Sequence, residues 1–238
     1  MSFYVALGAS ISIDDYAGGP GCGGASLLAR NRDEDFPDWH QHDLDGLPFR
    51  LLATDGATSQ TLLDHQLPRL ERSNARPSVV TVTVGGNDVL GWYGDTAAAV
   101  RAADAAAAMT SEALDRVVGL APDARIVVGT VYDPSDGTAD AARVGLSPWP
   151  EVVEVLRHLN AALRRVAEQH GAAVAEVHEK FLGHGLAAGD PGQREARPTN
   201  RDLWYCNVIE PNAWGANGVR AAFWEALGHA SPTDEPRA

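Results

Sequence analysis

Val79-Val80-Thr81-Val82-Thr83-Val84-Gly85-Gly86-Asn87-Asp88 reads as a buried strand that runs straight into a polar turn led by two glycines. Short apolar runs bounded in this way mark the parallel strands of a sheet covered on both faces. Four further runs have the same form: Phe3–Leu7, Phe49–Ala53, Arg125–Val131 and Ala172–Val177. Helical patterns lie between and after them. Gln60–Leu70 places Leu62, Leu63, Leu67 and Leu70 on one face, and Asp95–Leu120 is long and alanine-rich. Pro150–His170 repeats apolar residues at Val152, Val153, Leu156, Leu159 and Leu163, the spacing of an amphipathic helix. Trp214–Leu227 is the last pattern. Strand alternating with helix predicts an α/β fold, a parallel sheet with helices on both faces.

Residues 1–230 are expected to form a single domain, and residues 231–238 (Ser-Pro-Thr-Asp-Glu-Pro-Arg-Ala) a disordered tail. The length of 238 residues suits one α/β domain with a sizeable core. A formal net charge of -13 and the lack of clustered Lys and Arg argue against nucleic acid and against anionic membrane surfaces. No apolar run approaches the length of a membrane span, and the start Met-Ser-Phe-Tyr-Val-Ala-Leu-Gly lacks the basic and apolar regions of a signal peptide. A cytoplasmic protein is therefore expected. The two cysteines, Cys22 and Cys206, have no metal-ligand spacing, so no metal or other cofactor is expected and free thiols are.

In open parallel sheets, ligands bind beyond the carboxyl ends of the strands. Unusual residues collect there: Gly8-Ala9-Ser10 after the first strand, Asp55-Gly56-Ala57 after the second, Gly85-Gly86-Asn87-Asp88 after the third, Tyr132-Asp133-Pro134 after the fourth, and His178 to His184 after the fifth. A serine in a strand-to-helix turn projects its hydroxyl into the cleft, where neighbouring N–H groups and an Asn amide can stabilise an oxyanion. Taken singly, Ser10 also reads as a turn or helix-cap residue, Gly56 as a plain turn glycine, and Asn87 as a left-handed turn residue.

Together and in this order, Ala6-Leu7-Gly8-Ala9-Ser10-Ile11, Asp55-Gly56-Ala57 and Val84-Gly85-Gly86-Asn87-Asp88 resemble the first three sequence blocks of the SGNH (GDSL-type) hydrolases. The resemblance implies a flavodoxin-like, three-layer α/β/α sandwich with a five-stranded parallel sheet in the order 2-1-3-4-5. It also implies esterase or acyl-hydrolase chemistry with Ser10 as nucleophile, and an oxyanion hole made of the Ser10 N–H, the Gly56 N–H and the Asn87 side chain. Asp88 belongs to the same block.

The last block departs from the family's Asp-x-x-His-Pro-Asn. This chain reads Asn207-Val208-Ile209-Glu210-Pro211-Asn212, so Glu210 stands at the position of the catalytic His and Asn207 at that of the Asp. The family's Gly-Asp-Ser likewise appears as Gly8-Ala9-Ser10. A carboxylate is a weaker base than imidazole unless burial raises its pKa. Serine peptidases of the sedolisin type resemble this arrangement in pairing Ser with Glu. A carboxylate base gains nothing from an anionic neighbour, which makes Asn207 consistent with Glu210. The bland alternative for Glu210 is a cap on the last helix or a simply solvated side chain. His184, in a Gly-flanked loop, is the other candidate base, with a structural or lid role expected for it. Trp92, Tyr93, Trp149, Trp204 and Tyr205 are candidates for an apolar pocket, and the loop from Tyr132 for control of access to it. The expected substrate is a small-molecule or acyl-carrier-linked ester. The alternatives are a non-hydrolytic enzyme using Glu210 as acid/base (elimination, cyclisation or acyl transfer) and a ligand-binding homologue without catalysis.

Overall fold

The computed structural model describes residues 2–73, 76–188 and 203–232. Five parallel strands form the central sheet: β1 (Tyr4–Gly8), β2 (Phe49–Leu51), β3 (Val79–Thr83), β4 (Arg125–Gly129) and β5 (Ala173–Ala175). Their spatial order is β2-β1-β3-β4-β5, as expected. Tyr4 pairs with Phe49 on one side and Val79 on the other, while Val79 also pairs with Arg125 and Val127 with Ala173.

Alternation along the strands sorts the core into two halves. Val5, Leu7, Val80, Val82, Ile126 and Val128 face one layer of helices. That layer holds the segment from α2 (Ser59–Thr61) to α3 (Leu67–Arg72), α5 (Thr96–Leu120) and α6 (Val152–Gln169), with the short α4 (Gly86–Leu90) leading into α5. Tyr4, Ala6, Val79 and Val127 face the other layer: α1 (Gly24–Ala29), α7 (Val177–Phe181) and α8 (Ala213–Ala226). A two-stranded antiparallel hairpin, β6 (Tyr205–Cys206) and β7 (Glu210–Pro211), precedes α8.

The helix expected over Gln60–Leu70 is not uniform. Between α2 and α3 the chain makes a π-helical turn, Leu62–Gln66. Pro68 has no N–H to give to the carbonyl four residues back, so an α-helical ladder cannot run through it, and the wide turn precedes it. Leu62, Leu63, Leu67 and Leu70 are nonetheless buried.

Arg220 on α8 is fully buried, an uncommon fate for a charged side chain. Its guanidinium lies 4.0 Å from the Trp39 ring centroid and 4.9 Å from that of Phe36, and it donates to the side-chain oxygens of Asn31 and Asn217. Burial pulls its pKa down to about 9. The contacts bind the irregular segment around Asn31–Trp39 to the last helix. Beyond that helix, Ser231 is buried with its hydroxyl on Glu225 (2.7 Å), and residues 233–238 of the expected tail lie outside the described residues. Among the described residues no helix is long and apolar enough to cross a membrane.

Candidate active site

The chain leaves β1 in one direction to reach β2 and lies on the other side at β3, so the sheet's topological switch point falls between β1 and β3. Ser10 follows β1, in a short 3-10 turn (Ser10–Ser12), and Asn87 sits at the start of α4 after β3.

The turn that carries Ser10 is tightly held. Gly8 has φ +123°, and its N–H and C=O are both engaged by the buried Gln66 side chain, at 2.7 and 2.8 Å. The Ala9 N–H donates to the Thr83 carbonyl at 2.8 Å, and the Ser12 hydroxyl meets that of Thr83, also at 2.8 Å. Gln66 comes from the π-helical turn, so the irregularity there serves the serine loop. Ser10 itself is buried.

Asn87 donates through Nδ2 to the Ala57 carbonyl at 2.9 Å, which orients the amide and leaves its second N–H for another acceptor. Asp88 points away from that role. Its carboxylate accepts from the Ser59 N–H (3.1 Å) and hydroxyl (2.6 Å), tying α4 to the start of α2. Gly56 is exposed in a left-handed turn at φ +65°. Among the described residues neither the Ser10 nor the Gly56 N–H has an internal acceptor.

Glu210 opens β7, half-buried, where that strand packs beside the turn that carries Ser10. Burial raises its pKa above the ordinary carboxylate value, the neighbouring Ser10 hydroxyl works against that rise, and the nearby Asp55 carboxylate adds to it. One Glu210 oxygen, Oε2, is buried without a partner. Glu210 does not cap α8; Asn212 does, its Oδ1 accepting from the N–H groups of Trp214 (3.0 Å) and Gly215 (3.1 Å). The scaffold of the last block is equally constrained: a Cβ on Gly215 would come within 2.4 Å of the Trp204 carbonyl.

A residue that the sequence offered only as the start of the access loop also positions the hairpin that carries Glu210. Tyr132 is buried at the end of β4 and donates to the Ile209 carbonyl at 2.6 Å. Burial, with the Glu210 carboxylate nearby, holds its phenol pKa well above the ordinary value, so it remains a donor. The signal available was only a tyrosine at a strand end; its partner lies 77 residues away.

Two candidates stand apart. His184 is fully buried, stacked on the Trp204 ring at 3.6 Å, and does not line the cleft. Asn207 is exposed in the β6–β7 turn with φ +41°. The structure thus brings Ser10 and Glu210 together, places Asn87 beside Ser10, and leaves His184 and Asn207 outside the cleft. Among the described residues no group of three or more His, Cys, Asp or Glu side chains could hold a metal ion. Cys22 and Cys206 are free thiols.

A largely apolar cavity of about 140 Å³ opens beside Ser10 and Asn87. Leu90, Tyr93, Leu146, Trp149, Val152 and Leu156 furnish much of its wall. The wall is latched by Trp149 Nε1 on the Thr96 hydroxyl (2.9 Å) and the Tyr93 hydroxyl on the Ser147 carbonyl (2.8 Å). Of the five aromatic candidates, Tyr93 and Trp149 line it. Trp204 and Tyr205 instead pack around Phe181, and Trp92 is exposed. The loop after β4 supplies Tyr132 to Ser135 and Ala139 to the same wall. Neither Gly56 nor Glu210 lines the cavity, although Ile209, next to Glu210, does.

The model of the GDSL-like lipase/acylhydrolase family matches residues 6–216. A lipase of Streptomyces rimosus is 28% identical over 208 residues, spanning 79% of this chain and 74% of the lipase. Among solved structures, phospholipase A1 from Streptomyces albidoflavus superposes with a TM-score of 0.58 at 25% identity, covering 95% of this chain and 98% of the other. The acetyl xylan esterase of Geobacillus stearothermophilus gives 0.64 at 15% identity, over 100% and 97% of the two chains, a likeness of fold.

Proposed function

Because the chain belongs to the GDSL-like lipase/acylhydrolase family, we propose that it hydrolyses esters with Ser10 as nucleophile and Glu210 as general base. The observation that carries this reading is the packing of β7, which bears the half-buried Glu210 carboxylate of raised pKa, beside the turn that carries Ser10. As Ser10 Oγ bonds to the ester carbonyl carbon, its proton passes to Glu210, and the carbonyl oxygen takes the negative charge. The N–H groups of Ser10 and Gly56 and the Asn87 amide are the donors for that oxyanion. Protonated Glu210 then returns the proton to the departing alkoxide, leaving an acyl group on Ser10. Water, deprotonated by Glu210, releases the acid and restores the serine.

Proton return requires the leaving alcohol to sit on the Glu210 side of Ser10. The acyl group then points the other way, into the apolar cavity. This orientation favours a small or carrier-linked ester with an apolar acyl chain.

A fluorophosphonate is expected to label Ser10 stoichiometrically and to leave Ser10→Ala unlabelled, as read by intact mass and peptide mapping. Labelling elsewhere, or none in a folded protein, would refute the nucleophile assignment. Asn87→Ala is expected to lower kcat by about 10²–10³ with a smaller change in KM, the mark of a donor used in the transition state. A change confined to KM would remove Asn87 from the oxyanion hole.

A further inference from the structure

Only three residues, Asn207, Val208 and Ile209, separate the last residue pair of the hairpin, Cys206 with Glu210. Within them the Ile209 N–H donates to the Asn207 carbonyl at 2.9 Å, closing a γ-turn centred on Val208. Val208 has φ +74°. A γ-turn with positive φ at its centre is the rare and strained form, and a β-branched residue there is a conformational outlier. Glycine would fit without cost. Instead the position holds an apolar side chain that is 40% exposed and so gains little from packing.

The neighbours give that side chain a setting. Ile209 lines the cavity beside Ser10. Leu90, which also lines it, is 38% exposed and therefore belongs to its mouth. Strain held at a functional edge, on an apolar side chain left exposed to solvent, is the pattern of a residue kept for what it touches.

The geometry points to Val208 as a specificity-determining residue: its side chain contacts the apolar acyl chain of the substrate at the mouth of the cavity. This rests on the acyl group occupying that cavity. It adds a contact that favours longer chains at the expense of stability.

The test separates strain, contact and turnover. Ser10→Ala protein, which cannot turn over, is titrated with N-methyldecanamide, a neutral acyl probe, by calorimetry. In that background Val208→Gly is expected to raise Tm by roughly 2–4 °C and to weaken probe binding by about 3–10-fold. Val208→Thr keeps the branched shape and the strain, so Tm should not rise, while its hydroxyl weakens the probe similarly. A raised Tm with unchanged affinity in Val208→Gly would overturn the proposal, as would a lowered Tm, or no binding of the amide by the parent. Because binding is measured without Ser10, the affinity pattern stands even if esters prove not to be hydrolysed; failure of the esterase reading appears separately, as absent Ser10-dependent activity.

Discussion

Glu210→Gln is expected to lower kcat/KM for an activated ester by about two to four orders of magnitude, the usual contribution of a positioned general base. Glutamine fills the same space but cannot take the Ser10 proton. In the parent, kcat/KM should fall as pH drops through the Glu210 pKa and stay level above it. That limb lies above the ordinary carboxylate range, because burial raises this group. Stability has its own signature. A carboxyl whose folded pKa is raised contributes stability below its unfolded pKa, and loses it as pH rises through the folded value. The Tm of the parent relative to Glu210→Gln should therefore decline as pH rises from the ordinary carboxylate range through that raised pKa. Rate profiles and melting curves on the two proteins check both statements. Near-parental activity in Glu210→Gln would move the base elsewhere.

Gly8→Ala should cost at least about 3 kcal/mol, from backbone strain and overpacking together. A Cβ there would lie 2.2 Å from the Thr83 carbonyl oxygen and 2.4 Å from its hydroxyl, at a φ of +123°. Nothing nearby can yield, since β1 and β3 are paired at these residues and Gln66 grips both polar groups of Gly8. For a domain of this size the loss corresponds to a fall in Tm of roughly 6–12 °C. Gly46→Ala is the control: φ is +93°, but the added carbon meets nothing within 4 Å. Only left-handed strain then operates, about 1 kcal/mol. Equal melting temperatures for the two variants would show that the crowding at Gly8 relaxes freely.

What could be read before the structure follows from how local the causes are. The runs at Phe3, Val79 and Arg125 are each buried by their own composition, and their order along the chain constrains the crossovers, so sheet and topology were legible. Ser10, Asn87 and Glu210 could be picked out as candidates because each sits at a strand end or beside Pro211-Asn212, features that survive in one dimension. The clamp of Gln66 on Gly8 was not, since it spans 58 residues and depends on a turn widened ahead of Pro68. The β6–β7 hairpin has two residues per strand, too short for alternation to show. Asp88 carried the motif, yet its bonds to Ser59 make it a brace. His184 illustrates the converse: a glycine-flanked histidine reads as a candidate base or as a structural or lid residue, and the Trp204 face that buries it is invisible in sequence.

The buried guanidinium of Arg220 sets an order of events during synthesis. Its bond to Asn31 joins positions 189 residues apart, so the segment around Phe36 and Trp39 cannot close on this cation until α8 has been made. The same helix supplies Val219, Ala222 and Phe223 over the sheet face formed by Tyr4, Ala6, Val79 and Val127. A nascent chain that has completed β1 to β4 therefore presents one oily face bare at the ribosome, with its first helix loosely attached. Such an intermediate is a natural client for chaperones. A message truncated before codon 213 should yield protein that is captured or aggregated, even though every strand of the sheet has been made.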